Sequence, residues 1–208
     1  MNKFLLKIIT VMTVLTSTIS TVVYADEEQT SNDSSTVRIL FTHDLHDHID
    51  SYRVTNTETG EPEVIGGYAA LAGTIAANRN DHTILVDAGD FSMGTFYNAL
   101  FEKSAPDLSL LGMMGYDATT LGNHEFDYGF DNMARVFKRL NYPIVCANYD
   151  FTGTELAKIV KPYVIIKRNG LKIGVFGLAP KLDGLVDHKN YLTTRYLDPV
   201  ATAQKMVD

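Results

Sequence analysis

Three short clusters of polar residues in this sequence combine carboxylate, imidazole and amide side chains. They are Asp44-Leu45-His46, Gly89-Asp90 and Gly122-Asn123-His124-Glu125. In an extended segment, residues two apart project to the same side, so the first cluster brings a carboxylate and an imidazole together. These two ligand types suit a divalent cation such as manganese, zinc or iron. The first two clusters are therefore candidate parts of a metal site.

The third cluster adds a group that could transfer a proton. Asn123 offers a neutral amide oxygen to a metal, and the imidazole of His124 could act as a general acid. Asp127 lies three residues beyond His124 and could fix the orientation of that ring through a hydrogen bond. Glu125 is interpreted as an acid that supports or caps the cluster without binding a metal.

Each cluster taken alone can also be interpreted without a metal site. An Asp-x-His pair is common in solvated loops, and this interpretation stays open for Asp44 and His46 by themselves. Asp87 is better interpreted as a turn-capping or supporting acid than as a ligand. Asp90 is the stronger candidate because it directly follows a glycine, which allows the chain to turn sharply after a strand.

Strand-like and helix-like segments alternate along the chain and lead into these clusters. The predicted strands span residues 36–42, 82–88, 118–121 and 143–147, and a hairpin joins 160–167 to 171–178 through Asn169-Gly170. The predicted helices span residues 66–79, 106–114 and 127–140, and a last one opens at Asp198-Pro199. This order predicts an α/β fold with a mainly parallel first sheet. Because parallel strands end at one edge, we expect the three clusters to meet there.

Composition excludes several other classes of protein. The chain has 208 residues, of which 45% are hydrophobic, so it has enough apolar material for a core. Its single cysteine cannot form an internal disulfide. With 25 acidic and 18 basic residues the formal net charge is −7, which argues against a binder of nucleic acid polymers.

The first 25 residues are typical of a secretory signal peptide. Lys3 and Lys7 precede an apolar stretch rich in threonine, and Val23-Tyr24-Ala25 provides the small residue of a cleavage site. A membrane anchor fits less well, because the apolar run is shorter than the ~20 residues that span a bilayer. We therefore expect residues 1–25 to be a signal peptide, residues 26–35 to be a flexible tether, and the protein to be exported without a stable membrane span.

The motifs resemble those of the calcineurin-like metallophosphoesterases. The flanking segments are similar to the exported branch that contains 5′-nucleotidases and UDP-sugar hydrolases. They read ILFTHDLH from Ile39, GGYAALAG from Gly66, VDAGDFSMG from Val86 and MGYDATTLGNHEFDYG from Met114. The resemblance covers nearly all of residues 36–208 and implies a layered α/β sandwich.

The resemblance also implies roles for individual residues. Asp44 and His46 would bind a first divalent metal, Asp90 would bridge two metals, and Asn123 would bind the second. The metals would be manganese, zinc, iron, cobalt or magnesium, and together they would bind the phosphate and activate water. His124 would protonate or stabilise the leaving oxygen, with its ring oriented by Asp127. The implied activity is hydrolysis of phosphate esters, with nucleotides as small-molecule substrates of the 5′-nucleotidase or 2′,3′-cyclic phosphodiesterase type.

The sequence departs from the family pattern in two places. His43 and Asp47 stand where the family commonly has Asn and Gly, and His48 follows; we expect His43 and His48 to be exposed or to support the site. The later metal-binding histidines of the family have no counterpart after Asp127, and His188 is interpreted as a surface residue. Residues 36–208 are thus expected to be the N-terminal part of a catalytic domain, with weak metal affinity and little activity alone. A non-catalytic exported binding module with the same fold is the alternative.

The remaining notable side chains are expected to be structural. Cys146 lies in an apolar segment and is interpreted as a buried small hydrophobe. Tyr116, Phe126 and Phe130 are interpreted as core or cleft-wall residues.

Overall fold

The computed structural model describes residues 36–191 and 194–208. The signal peptide and the tether predicted over residues 1–35 lie outside this range. The strands are β1 (Arg38–Thr42), β2 (Tyr52–Thr55), β3 (Pro62–Ile65), β4 (Thr83–Asp87), β5 (Ala118–Thr119), β6 (Tyr149–Asp150), β7 (Tyr163–Arg168), β8 (Leu171–Phe176) and β9 (Arg195–Tyr196). The α-helices are α1 (Tyr68–Asn78), α2 (Pro106–Met114), α3 (Gly129–Phe137) and α4 (Pro199–Val207). Short 3-10 helices span Phe96–Leu100, His124–Phe126, Glu155–Lys158 and His188–Asn190.

The central sheet is parallel, as the alternation of elements predicts. Its order is β1-β4-β5, and both pairings are parallel. The middle strand β4 has the sequence TILVD and is almost entirely buried, as a strand covered on both faces must be. This sheet and the surrounding helices confirm the α/β class.

Two predicted strands differ from the structure. The segment 143–147 is not a strand; it forms only isolated parallel bridges, Thr119 with Ile144 and Val145 with Lys161. Its backbone divides its hydrogen bonds among three neighbours, Thr119, Lys161 and Gly177, so no continuous pairing develops. The strand expected over 118–121 is limited to Ala118–Thr119.

Local end signals set the bounds of two helices. Helix α2 has Pro106 at its first turn and ends at Gly115, which adopts φ 76° and leaves the helical conformation. Helix α4 begins at Pro199, and the side chain of Asp198 accepts a hydrogen bond from the N–H of Ala201 at 2.7 Å. Both boundaries agree with the sequence prediction. Helices α1 and α3 are shorter than the predicted segments.

Two antiparallel hairpins lie outside the parallel sheet. The predicted hairpin joins β7 and β8 through Asn169 and Gly170, with φ values of 47° and 75° that suit a tight turn. Arg168 anchors it to the parallel sheet by donating to the carbonyl oxygen of Thr83 at 3.0 Å and by pairing with Asp117. The other hairpin, β2–β3, was not predicted.

The hydrophobic core lies between the parallel sheet and the helices that pack on it. Its largest fully buried side chains are Leu85, Phe91, Phe101, Leu108, Leu111, Leu121, Phe126, Met133, Leu156 and Leu182. No helix within residues 36–191 and 194–208 is long and apolar enough to cross a membrane.

Candidate metal centre

The first two clusters are joined by backbone hydrogen bonds that continue beyond the ends of β1 and β4. The N–H of Asp44 donates to the carbonyl oxygen of Gly89 at 3.0 Å, and the N–H of His46 donates to that of Asp90 at 3.1 Å. One step further, the N–H of Asp47 donates to Phe91 at 3.0 Å. The two ligand segments are therefore an irregular extension of the parallel pairing.

The side chains of Asp44, His46 and Asp90 converge at this edge of the sheet. Each offers one ligand atom, and these atoms lie within 4.8 Å of one another. Asp44 is exposed, whereas His46 and Asp90 are half-buried, so the group is open to solvent on one side. No other group of three or more His, Cys, Asp and Glu residues with this spacing occurs in the part of the chain that the structure describes.

The ring of His46 is held with one nitrogen directed at backbone. Nδ1 lies 2.9 Å from the carbonyl oxygen of Met93 and 3.2 Å from that of Ser92. Because a carbonyl oxygen only accepts hydrogen bonds, Nδ1 carries the proton, and Nε2 of the neutral ring keeps a lone pair for a metal. Two carboxylates and one imidazole nitrogen are ligands that manganese, iron, cobalt or zinc accept, so these residues fit a divalent cation.

The backbone at the three candidate ligands and at Asp47 adopts unusual conformations. Asp44, His46, Asp47 and Asp90 all have positive φ angles, between 46° and 55°. Such angles cost a residue with a side chain on the order of 1–3 kcal/mol and are concentrated at functional sites. The hydrogen bonds between the two segments stabilise this conformation.

The third cluster lies beside the first two. Asn123 is half-buried and directly precedes the 3-10 turn His124–Phe126. The N–H of His124 donates to Oδ1 of Asp90 at 3.0 Å, and the rings of His124 and His46 meet edge to face with centroids 5.4 Å apart. Nδ1 of His124 lies 2.7 Å from Oδ2 of Asp127, as the spacing predicts.

Glu125 is fully buried and accepts hydrogen bonds from both sides of the site. Its Oε2 accepts the N–H groups of Gly122 at 2.6 Å and Asp90 at 3.0 Å. Its Oε1 accepts from Phe91 N, Ser92 N and Ser92 Oγ, at 3.2, 3.4 and 3.2 Å. Burial, with repulsion from the Asp90 carboxylate, raises the pKa of Glu125 to about 8. The prediction that it supports the cluster is confirmed.

Asp87 is also a supporting acid rather than a converging ligand. Its Oδ2 accepts from Thr42 Oγ1 at 2.7 Å, and its Oδ1 accepts from Gly89 N at 3.0 Å and Thr119 Oγ1 at 2.8 Å. Burial raises its pKa to about 6 despite these hydrogen bonds.

Asp47 supports the site in a way that sequence reasoning missed. Its side chain is 1% exposed, and its Oδ2 accepts the N–H of Met93 at 3.0 Å. Its backbone carbonyl accepts the hydroxyl of Thr95 at 3.0 Å. Asp47 thus fixes the segment whose carbonyl groups hold the His46 ring. Burial raises the pKa of Asp47. Two signals in the sequence pointed to it: its place immediately after His46, and its standing where the family commonly has Gly.

The other histidines follow their sequence interpretations. His43 and His48 are exposed, and Nδ1 of His43 lies 3.1 Å from Oδ2 of the candidate ligand Asp44. His188 is exposed on a 3-10 turn outside the cluster.

The side chains assigned to the core are buried or packed against it. Cys146 is 4% exposed, and burial raises its pKa to about 12, which makes it a poor nucleophile. Tyr116 and Phe126 are buried, and Phe130 packs against the same core.

Comparison with known proteins identifies the fold and family. A probable 5′-nucleotidase of Treponema pallidum (strain Nichols) is 35% identical over 145 residues, which is 67% of this chain and 24% of that protein. A 2′,3′-cyclic-nucleotide 2′-phosphodiesterase/3′-nucleotidase of Haemophilus influenzae is 34% identical over 195 residues, 82% of this chain and 28% of that protein. The solved 5′-nucleotidase precursor of Thermus thermophilus superposes with a TM-score of 0.73 at 30% identity, covering 82% of this chain and 34% of that one.

This chain therefore spans between a quarter and a third of the length of these three proteins. The likeness to the Thermus structure confirms the metallophosphoesterase fold that the motifs imply. The model of the calcineurin-like phosphoesterases matches residues 37–201, which is most of the chain. On this match, the chain belongs to the calcineurin-like phosphoesterase family.

Proposed function

We propose that this protein hydrolyses phosphate esters with the help of two divalent metal ions, and that its substrates are nucleotides. The observation that carries the proposal is the convergence of one ligand atom each from Asp44, His46 and Asp90, with the His124 ring beside them. The printed names of the relatives, a probable 5′-nucleotidase and a cyclic-nucleotide phosphodiesterase, support a nucleotide.

The chain's own residues divide into metal ligands and a proton donor. Asp44 and His46 would hold the first cation, Asp90 would contact both, and Asn123 would hold the second. Bound divalent cations supply Lewis-acid stabilisation of the charge that develops on a phosphate. This role needs no basic side chain at the site.

His124 is proposed as the general acid for the leaving oxygen. Its Nδ1 is engaged by Asp127 at 2.7 Å, so its Nε2 is the nitrogen free to face a substrate. A carboxylate at Nδ1 fixes the orientation of the ring and stabilises its protonated form. Asp127 is thus proposed to position the catalytic residue without contacting the substrate.

We also propose that the protein is exported. The basic start, apolar middle and small-residue end of residues 1–25 support a signal peptide. The Thermus relative is described as a precursor.

Titration with Co²⁺ tests the metal site. The wild-type protein is expected to bind Co²⁺ saturably with a visible absorption spectrum, whereas Asp90→Asn is expected to lose this binding because its neutral amide replaces the central carboxylate. Asp183→Asn is the matched control, since Asp183 is exposed and pairs with Lys181 away from the site.

Two outcomes would contradict the proposal. Equal binding by wild type and Asp90→Asn would remove the assigned site, and no binding by either would favour a non-catalytic binding module. The substrate class has its own test: a nucleoside monophosphate is expected to change the spectrum of the Co²⁺-loaded protein, and the nucleoside alone is not.

A further inference from the structure

Glu125 joins the two loops that carry the later ligand clusters. Four backbone N–H groups and one hydroxyl converge on its carboxylate, from residues 90–92 on one loop and from Gly122 on the other. The side chain is 0% exposed, and it belongs neither to the converging ligands nor to the proton donor. Its hydrogen bonds are made mainly to the backbone of the two loops that carry Asp90 and His124.

Each of the two loops donates a backbone N–H group to a carboxylate of the other. Glu125 accepts the N–H of Asp90, and Oδ1 of Asp90 accepts the N–H of His124, one residue before Glu125. A Cβ atom at Gly122 would overlap the side chain of Asp90, so the loops are also in direct contact. The direction of the Asp90 carboxylate and the place of the His124 turn are therefore set together.

A carboxyl group suits this position better than an amide of the same shape. Five donors point at it, and both of its terminal atoms are oxygens that accept hydrogen bonds, with about four lone-pair sites when ionised and a single hydrogen when protonated. Glutamine would turn an NH₂ group toward some of these donors and leave them unsatisfied in a buried place. An unsatisfied buried polar group is costly.

We propose that Glu125 is a positioning residue that sets the spacing between Asp90 and the Asn123–His124 turn and thereby the metal affinity of the site. This inference rests on the proposed function. Asp90 has a φ of 51°, an angle that a residue with a side chain seldom adopts. The hydrogen bond from its N–H to Glu125 holds that conformation before any ion binds.

Hydrogen–deuterium exchange of the metal-free protein tests the structural half of the inference. The amides of residues 90–92 and Gly122 are expected to be protected in the wild type and to exchange at least ~10-fold faster in Glu125→Gln, since ~1.4 kcal/mol of lost stabilisation corresponds to that factor. Unchanged exchange of these amides would overturn the proposal.

Co²⁺ binding tests the positioning role itself. Glu125→Gln is expected to weaken Co²⁺ affinity ~10–100-fold, as loss of a group that orients ligands does, and to alter the visible spectrum of the bound ion. Glu125→Asp, which keeps both carboxyl oxygens on a shorter side chain, is expected to lose less affinity although Gln is closer in size. If Glu125→Gln does not fold, Glu125→Asp serves as the test variant. Its Co²⁺ affinity is then expected to be below that of the wild type, and the spectrum of the bound ion is expected to be altered.

The matched control is Asp117→Asn. Asp117 accepts the N–H of Leu85 at 2.9 Å and pairs with Arg79 and Arg168, so its loss weakens the fold away from the ligand clusters. Its Co²⁺ affinity and spectrum are expected to match the wild type even if its unfolding temperature falls. An equal loss of affinity in Asp117→Asn would show that general destabilisation is the cause.

The outcomes separate this inference from the proposed function. If the wild type binds Co²⁺ and the Glu125 variants bind it with the same affinity and spectrum, the positioning role is wrong and the proposed metal site stands. If the wild type binds no Co²⁺, the proposed function and this inference both fail.

Discussion

Replacing Gly89 with alanine is expected to destabilise the protein by on the order of 2–5 kcal/mol, through a steric overlap of ~1–3 kcal/mol and an unfavourable φ of ~1–2 kcal/mol. Gly89 has a φ of 93°, and an added Cβ would overlap the backbone nitrogen of Gly122 and lie 2.7 Å from the carbonyl carbon of Leu121. Because the overlapped atoms are backbone atoms and not the end of a flexible side chain, there is little room for adjustment. Urea-induced unfolding without metal measures the change in free energy.

Gly153→Ala is the matched control for this prediction. Gly153 has a similar φ of 85°, but an added Cβ would meet nothing within 4 Å. It should therefore show only the conformational cost of ~1–2 kcal/mol. If both alanine variants lost the same stability, the close approach of the two ligand loops would not be a feature of the folded protein.

Replacing Asp107 with asparagine is expected to stabilise the protein increasingly as the pH rises. Asp107 lies in the first turn of α2 with 0% exposure, and neither carboxylate oxygen has a hydrogen-bond partner among the described residues. Burial, together with the charges of Asp47 and Asp87, raises the pKa of Asp107 from 3.8 to about 7. The folded protein thus holds this proton over a pH range in which the unfolded chain has lost it.

The sign of the effect follows from proton linkage. Because the folded-state pKa is the higher one, the contribution of Asp107 to stability is greatest below pH ~4, falls as the pH rises to ~7, and then stays constant. Asparagine resembles the protonated acid and does not ionise. At ~1.4 kcal/mol per pKa unit, the advantage of Asp107→Asn at pH 8 is at most ~4 kcal/mol.

Urea unfolding at pH 5 and pH 8 in the presence of EDTA measures this advantage. Asp117→Asn serves as the control, because it loses hydrogen bonds to Leu85 and Arg168 and is expected to be less stable than wild type at both pH values. A constant difference between Asp107→Asn and wild type across this range would contradict the assigned pKa.

The sequence was sufficient to predict those helix ends and turns that are determined by the residue types at the boundary itself. Pro106 and Gly115 bound α2, and Asn169-Gly170 forms the turn of the β7–β8 hairpin. The β2–β3 hairpin was missed because all but one of its paired residues are exposed, so it carries little hydrophobic signal. The apolar pattern of residues 143–147 predicts a strand that does not form, because an apolar pattern alone does not reveal how the backbone hydrogen bonds are divided.

Part of the candidate site was predictable from the sequence, and part of it was not. The meeting of Asp44, His46 and Asp90 was predictable because parallel strands must end at one edge. The contact between His124 and Asp127 was predictable from their spacing along the chain. The burial of Asp47 was not predictable, since it depends on the distant Met93 segment that folds over it. Long-range packing of this kind leaves no periodic pattern in a single sequence.

The backbone pairing that runs past β1 and β4 has a consequence for motion at the site. Residues 44–47 are hydrogen-bonded to residues 89–91, so the picosecond-to-nanosecond fluctuations of both segments should be smaller than those of unpaired surface loops. A site that is already ordered loses little conformational entropy when it is occupied. At the proposed metal site, selection among ions would then depend on which cation fits the fixed donor atoms, and little on the cost of arranging them.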